Sequence, residues 1–147
     1  MKIGVRQASE SDMPALLVLY AELHPADVPP SAQTALDVWR AIQAQAGRTV
    51  LVAESEGSVV GTVDCAVLPN LTRGARPFML VENVVVAAAC RRSGVGSALL
   101  EAAVSVARQA GCYKVQLLSR VDRHAAHALY ESSGFRVVAQ GYRLYLG

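Results

Sequence analysis

The chain has 147 residues, a net charge of +2 and 52% hydrophobic residues, so it is long enough to fold as one domain, residues 1–147, around a sizeable core. Its longest uninterrupted apolar stretch, residues 84–90, is far shorter than the roughly 20 residues of a membrane-spanning helix. No signal peptide is predicted and the charge is too mild for nucleic-acid binding. We therefore expect a cytoplasmic protein with no membrane and no nucleic-acid partner.

The first third of the chain predicts a short strand and two helices. The strand is expected over residues 5–8, and Ser9 with Asp12 resembles a capping box that opens the first helix. The second helix is expected from about residue 31 to residue 46. Between the helices, the prolines of residues 24–30 exclude regular structure, because proline fixes φ and lacks an N–H donor.

The middle of the chain predicts a hairpin and a third strand. Residues 49–54 and 58–67 are expected to pair across a tight turn that contains a glycine. A polar loop over residues 70–77 leads into a strand over residues 78–86. Mixed strands and helices with one central crossover predict an α/β (α+β) fold with a mixed sheet.

The third of these strands carries one carboxylate among valines. Val84, Val85 and Val86 are β-branched, which suits a packed strand. Period-two alternation predicts that Glu82 shares a sheet face with Val84 and Val86. Because burying a carboxylate is costly unless it is paired or functional, Glu82 is a candidate site residue. A solvated glutamate at the strand end is the alternative.

A basic turn with two glycines connects this strand to a helix expected over residues 94–109. The glycines carry no side chain, so a ligand can approach the backbone and several N–H groups can point into one concavity. The helix N-terminus adds partial positive charge, and two arginines add full charges. The pattern predicts a pyrophosphate-binding cradle, and it consists of Arg91, Arg92, Ser93, Gly94, Val95, Gly96 and Ser97.

The last part of the chain predicts a strand over residues 113–118, a helix over 123–133, and an antiparallel pair over 135–138 and 142–146. No metal site is predicted. The histidines of the helix lie three residues apart without an evident third ligand, and the three cysteines form no Cys-x-x-Cys pair.

Two motifs carry a resemblance to a known family. The basic turn reads Arg91-x-x-Gly94-x-Gly96 after a valine-rich strand, and the last helix carries Tyr130 and ends in Gly134-Phe135. Both match signatures of the Gcn5-related N-acetyltransferases, the GNAT family, in the expected order and at a typical separation. The chain thus resembles this family over its whole length. The resemblance implies the GNAT-type fold, a central, mostly antiparallel mixed sheet flanked by about four helices.

The resemblance implies an acetyl-CoA-dependent N-acetyltransferase, a homodimer by family habit, that acts on a small-molecule amine by direct attack in a ternary complex. The cradle would hold the pyrophosphate, and strand backbone at Val84, Val85 and Val86 would pair with the pantetheine arm. Arg123 stands where many members have an asparagine that helps hold the coenzyme.

Two residues would move protons in such an enzyme. Tyr130 would protonate the leaving thiolate, and Glu82 would deprotonate the amine. Two alternatives stay open. Tyr130 is only a packing residue, or the base acts through a water molecule. Two other functions also stay open, a protein N-terminal or lysine acetyltransferase and a non-catalytic acyl-CoA-binding module.

Overall fold

The computed structural model describes residues 2–147, which form two compact units, one ending at Leu117 and the other covering Leu118–Gly147. The predicted single domain over residues 1–147 stays a prediction. Among the described residues, no helix combines the length and the apolar composition that crossing a membrane requires.

The first unit is built on one sheet of five strands, which are β1 (Gly4–Gln7), β2 (Arg48–Ser55), β3 (Ser58–Leu68), β4 (Phe78–Val86) and β5 (Val115–Leu117). The strands lie in the order β1-β2-β3-β4-β5. All neighbours are antiparallel except β4 and β5, which are parallel. The sheet is mixed, as the sequence pattern predicts, and mostly antiparallel, as the family resemblance implies.

Helices α1 (Met13–Leu23), α2 (Ala32–Ala44) and α3 (Val95–Gln109) belong to the same unit, and α4 (His124–Ser132) belongs to the second. With four helices and the mixed sheet, the predicted α/β (α+β) fold is confirmed. The segment between α1 and α2 and the loop between β3 and β4 contain no helix or strand, as their prolines and polar residues predict.

The sheet is buried on both faces. On one face, Leu16 of α1 and Trp39 of α2 share a hydrophobic cluster with Val52 of β2. On the other face, Leu99 of α3 shares a second cluster with Ala53, the next residue of β2. Successive side chains of a strand point to opposite faces, so α1 and α2 cover one side of the sheet and α3 covers the other.

An ion-pair network joins the start of α1 to the edge of the sheet. Arg6 of β1 donates to both carboxylate oxygens of Asp12, at 2.7 and 2.8 Å, and reaches Glu54 of β2 at 2.6 Å. The Asp12 carboxylate also accepts the backbone N–H of Ser9 at 2.8 Å, one half of the predicted capping box. The Arg6 hydrogen bond is the main cause that lowers the pKa of Asp12 from 3.8 to about 2.

The predicted antiparallel pair over residues 135–138 and 142–146 is wrong. In the described part of the chain after Leu117, α4 is the only helix or strand. Except for the half-buried Phe135, the apolar side chains of these segments are exposed, 88% for Val137 and 83% for Leu144. Residues of high strand propensity form a stable strand only with a neighbouring strand and a face to bury, and an isolated hairpin is marginal in water.

The Asp12 ion pair should stabilise the first unit in a pH-dependent way. Because the folded-state pKa is depressed, the stabilisation is complete above the unfolded value of 3.8 and is lost as the pH falls through about 2. Since Arg6 is partly exposed, we expect Asp12→Asn to lower the free energy of unfolding by about 1 to 2 kcal/mol at neutral pH. Urea denaturation measures this effect.

The matched control is Asp37→Asn, at an exposed position of α2, which should change stability by less than about 0.5 kcal/mol. The gap between wild type and Asp12→Asn should close as the pH falls from about 4 to about 2. A gap that stays constant over that range would contradict the ion-pair explanation.

Candidate active site

Strand β4 carries a β-bulge at its centre. Thr62 of β3 pairs with Val85, but Asp64 pairs with Glu82, so β4 has one more residue than β3 between these two pairs. The extra residue falls at Asn83, whose φ of 52° lies in the left-handed region. Asparagine adopts this conformation more readily than other residues with a side chain, glycine being the easiest of all.

The bulge reverses the alternation of side chains along β4. Before it, Met79 and Val81 are buried in the cluster on the α3 side. After it, Val84 and Val86 pack against the same cluster. Glu82 follows Val81 and therefore faces the opposite side, toward α1 and α2. The predicted shared face of Glu82 with Val84 and Val86 is wrong, because the extra residue shifts the period by one.

Pairing between β4 and β5 covers only the first half of β4. It runs from Met79 with Val115 to Val81 with Leu117, so β5 is shorter than the predicted strand over residues 113–118. In this unit, residues 82–86 thus pair in the sheet with β3 alone. Their other side presents backbone N–H and C=O groups to an added strand or to an extended ligand.

The predicted cradle follows directly from this half of β4. A 3₁₀ turn (Ala88–Cys90) leads into four exposed residues, Arg91, Arg92, Ser93 and Gly94. Arg92 and Gly94 have positive φ values of 63° and 88°, which turn the chain sharply into α3. Arg91 donates from Nε to the carbonyl oxygen of Val86 at 3.4 Å, so the basic turn contacts the end of the strand.

The first turn of α3 completes the cradle. Val95 and Gly96 are buried where the helix begins, whereas Ser97 is exposed. The first N–H groups of any helix have no intrahelical acceptor. Beside the exposed Arg91 and Arg92, they give this N-terminus the charge and the donors that a phosphate group requires.

Helix α3 is placed by close packing on Gly61 of β3. A Cβ atom at Gly61 would lie 2.9 Å from Cγ1 of Val95 and 3.0 Å from Cδ1 of Leu99. The helix therefore rests almost directly on the strand backbone at its first two turns. A glycine inside a strand is the sequence signal for such an approach, and our sequence interpretation did not use it.

A buried polar pair lies beside Glu82. Asp64, its partner residue on β3, is 4% exposed. Arg48 binds both oxygens of Asp64, from Nε at 2.8 Å and from Nη2 at 2.6 Å. The sequence interpretation missed this pair, although a charged residue within the apolar run of β3 was a visible signal.

Tyr20 of α1 belongs to the same polar group. Burial, and next the charge of Asp64, raise the pKa of Tyr20 to about 12, so its hydroxyl stays protonated at neutral pH. Together, Tyr20, Asp64 and Arg48 form a polar group on the face of the sheet to which Glu82 also points.

The second unit holds the other predicted site residues. Tyr130 is half-buried on α4, and its ring makes an edge contact with Phe135, with centroids 6.2 Å apart. Arg123 immediately precedes α4 and is also half-buried. Nε2 of His127 lies 2.8 Å from the carbonyl oxygen of Arg120. Within residues 2–147, no group of three or more His, Cys, Asp or Glu side chains is arranged to hold a metal.

Comparison with known proteins decides the family. The model of the acetyltransferase (GNAT) family matches residues 13–135. The chain belongs to the GNAT family. The glucosamine 6-phosphate N-acetyltransferase of Trypanosoma brucei brucei is 32% identical over 97% of this chain and 95% of that protein. The aminoglycoside N(6′)-acetyltransferase type 1 of Stenotrophomonas maltophilia is 31% identical over 89% of this chain and 84% of that protein.

A solved structure from Agrobacterium tumefaciens str. C58, assigned as an acetyltransferase, is 40% identical, with a TM-score of 0.94 over 97% of this chain and 99% of that one. The predicted family, the GNAT-type fold and the N-acetyltransferase activity are thus confirmed.

Close packing at Gly61 predicts a coupled loss of stability and of ligand binding at the N-terminus of α3. Gly61→Ala should push α3 away from β3 and lower the free energy of unfolding by about 1 to 3 kcal/mol. It should also weaken acetyl-CoA binding, because the N–H groups of the first helical turn move with the helix. Urea denaturation and calorimetric titration measure the two effects.

The control is Gly4→Ala in β1, where a Cβ atom would have no neighbour within 4 Å. Gly61→Ala with the stability and the acetyl-CoA affinity of this control would show that α3 does not depend on that contact.

Proposed function

We propose that this N-acetyltransferase moves an acetyl group from acetyl-CoA to the primary amine of a small-molecule acceptor, by direct attack in a ternary complex. One observation carries the proposal. The half of β4 that pairs only with β3 is followed, after a short turn, by the exposed basic residues that lead into α3. The two relatives described above support the acceptor class, since both are named for small amine-bearing molecules.

The cradle is suited to bind the pyrophosphate of acetyl-CoA. Arg91 and Arg92 are exposed and supply full charges, while the N–H groups from Gly94 to Ser97 supply aligned donors. In our proposal, Ser93 stabilises the turn, because its hydroxyl donates to the carbonyl of Cys90. Arg123 adds a further contact to the coenzyme, as the family resemblance implies.

The edge of β4 is suited to bind the pantetheine arm. Backbone groups of Val84, Val85 and Val86 would hydrogen-bond the amides of the arm as though it were another strand. Acetyl-CoA supplies the acetyl group as an activated thioester. An N–H near Val86 would polarise the thioester carbonyl.

Glu82 is the proposed general base. It is exposed and lies on the face of the sheet that α1 and α2 cover, so its carboxylate can take a proton from an acceptor amine bound there, directly or through one water. Tyr130 is the proposed acid. A phenol with a pKa of about 10 is protonated at neutral pH and can donate to the leaving thiolate.

The proposed cradle predicts that Arg91 contributes directly to the affinity for acetyl-CoA. Arg91→Ala should weaken acetyl-CoA binding roughly 10-fold or more, because a charge-assisted hydrogen bond to phosphate is removed. Gly94→Ala should act in the same direction, because alanine is strained at a φ of 88°. Calorimetric titration of the purified protein measures both.

Arg108→Ala is the matched control, since Arg108 is exposed in the last turn of the same helix. It should leave the affinity for acetyl-CoA unchanged. If Arg91→Ala and Arg108→Ala bound acetyl-CoA with equal affinity, the cradle would not be the pyrophosphate site.

The two proton-transfer roles predict different kinetic defects. Glu82→Gln should lower kcat by about 100-fold, by a factor that varies with pH, because the amide cannot accept the proton. Tyr130→Phe should lower kcat while the affinity for acetyl-CoA stays unchanged. Rates are measured as thiol release across pH.

Controls of the same chemistry are available at exposed positions, Glu101→Gln in α3 and Tyr142→Phe near the end of the chain. A Glu82→Gln rate ratio that is flat across pH would contradict the base. Wild-type rates in Tyr130→Phe would reduce Tyr130 to a packing residue.

A homodimer and a cytoplasmic location stay predictions from the family resemblance and the composition. Light scattering of the purified chain tests the first, and a monomer mass at micromolar concentration would contradict it. Fractionation of the source cells tests the second.

A further inference from the structure

An apolar cavity of about 270 Å³ lies between α1, α2 and β2. Its walls are mostly aliphatic and aromatic, with Leu17 and Tyr20 from α1 and with Val38, Trp39 and Ile42 from α2. An engineered cavity of about 150 Å³ is large enough for benzene. The cavity between α1 and α2 is therefore large enough for an aryl group or a medium-length alkyl chain.

Trp39 forms part of the wall of this cavity. Trp39 is 4% exposed, and its Nε1–H has no hydrogen-bond partner. A buried donor without a partner is costly, and most buried polar groups have one. That nitrogen has almost no accessible surface, so a ligand in the cavity would contact other atoms of the indole.

Tyr20 connects the cavity to the proposed base. It lines the cavity, and its hydroxyl interacts with Thr62 and Asp64 of β3. Asp64 pairs directly with Glu82 of β4. Paired residues on neighbouring strands have Cβ atoms about 5 Å apart, so Tyr20 and Asp64 link the wall of the cavity to Glu82.

The lining disfavours a sugar acceptor in this cavity. Each hydroxyl buried against aliphatic walls without a partner loses its hydrogen bonds to water. A phosphate group requires a cation, and no lysine or arginine is present among the described residues that line the cavity. Besides Tyr20, the charged or titratable residues in the described lining are His24 and Asp27, and Asp27 favours a cationic ligand.

We propose that the acceptor is a primary amine with an apolar body, an arylalkylamine or an alkylamine, whose body lies between α1 and α2 and whose nitrogen points toward Glu82. This inference rests on the proposed function and names its substrate class. Val38, which is 53% exposed at the cavity, would then determine specificity through the size of the entrance.

The experiment compares matched amines and matched variants. Turnover of phenethylamine, hexylamine, glucosamine and glucosamine 6-phosphate is measured as thiol release at saturating acetyl-CoA. Val38→Phe narrows the cavity entrance, and Val18→Phe makes the same change at an exposed position of α1 outside the lining. Both sites are exposed enough for the variants to fold.

Trp39 gives a second readout that does not depend on turnover. It is the single tryptophan of the chain, so its fluorescence reports on this cavity alone. Titration with each amine in the absence of acetyl-CoA should shift the emission for phenethylamine and hexylamine. The shift should disappear in Val38→Phe and persist in Val18→Phe.

We expect kcat/KM to be roughly 10-fold or more higher for the apolar amines than for the two sugars. Val38→Phe should raise KM for the apolar amines by a similar factor, and Val18→Phe should leave it within about twofold. Preference for the sugars, or equal effects of the two variants, overturns the acceptor class and leaves the proposed function intact. No turnover of any amine overturns both.

Discussion

The β-bulge at Asn83 is the constraint on which the arrangement of the site depends. One extra residue lets Val84 and Val86 turn inward toward α3, while Glu82 keeps the opposite face. Without the bulge, strict alternation would place Glu82 and Val84 on the same face. Either the Glu82 carboxylate would then face the hydrophobic cluster under α3, or Val84 would face away from it. The bulge also lies just past the last pair of β4 with β5, at Val81. Asn83, whose backbone is left-handed, thus separates the half of β4 that pairs with β5 from the half whose edge is available for binding.

The face that receives Glu82 combines charge with apolar surface. Asp64 stays buried and paired because Arg48 binds both of its oxygens, and breaking such a pair would be costly. Tyr20 lies between this pair and the cavity under α1 and α2, with a hydroxyl that remains protonated. A ligand on this face would therefore meet apolar walls at one end and carboxylates at the other. That distribution suits an amine with an apolar body.

The opposite face couples the core to the cradle. Helix α3 lies so close to Gly61 that its first turns have little freedom to move relative to β3. Its N-terminus, with Arg91 and Gly94 before it, is held at the end of β4 by the same packing that stabilises the sheet. An anion site made of backbone N–H groups requires such rigidity, because the donors bind one ligand together only when their directions are fixed.

By itself, the sequence determined the elements whose signals are local. The cradle follows from a glycine turn and a helix start, and the hairpin follows from Glu56-Gly57, both of which have positive φ. Only the tertiary structure decided which face Glu82 occupies, because one inserted residue reverses a period-two pattern. It also decided that Asp64 pairs with Arg48, 16 residues away, and that the end of the chain forms no strand pair. These outcomes depend on which neighbour each residue meets, and local propensity does not encode that choice.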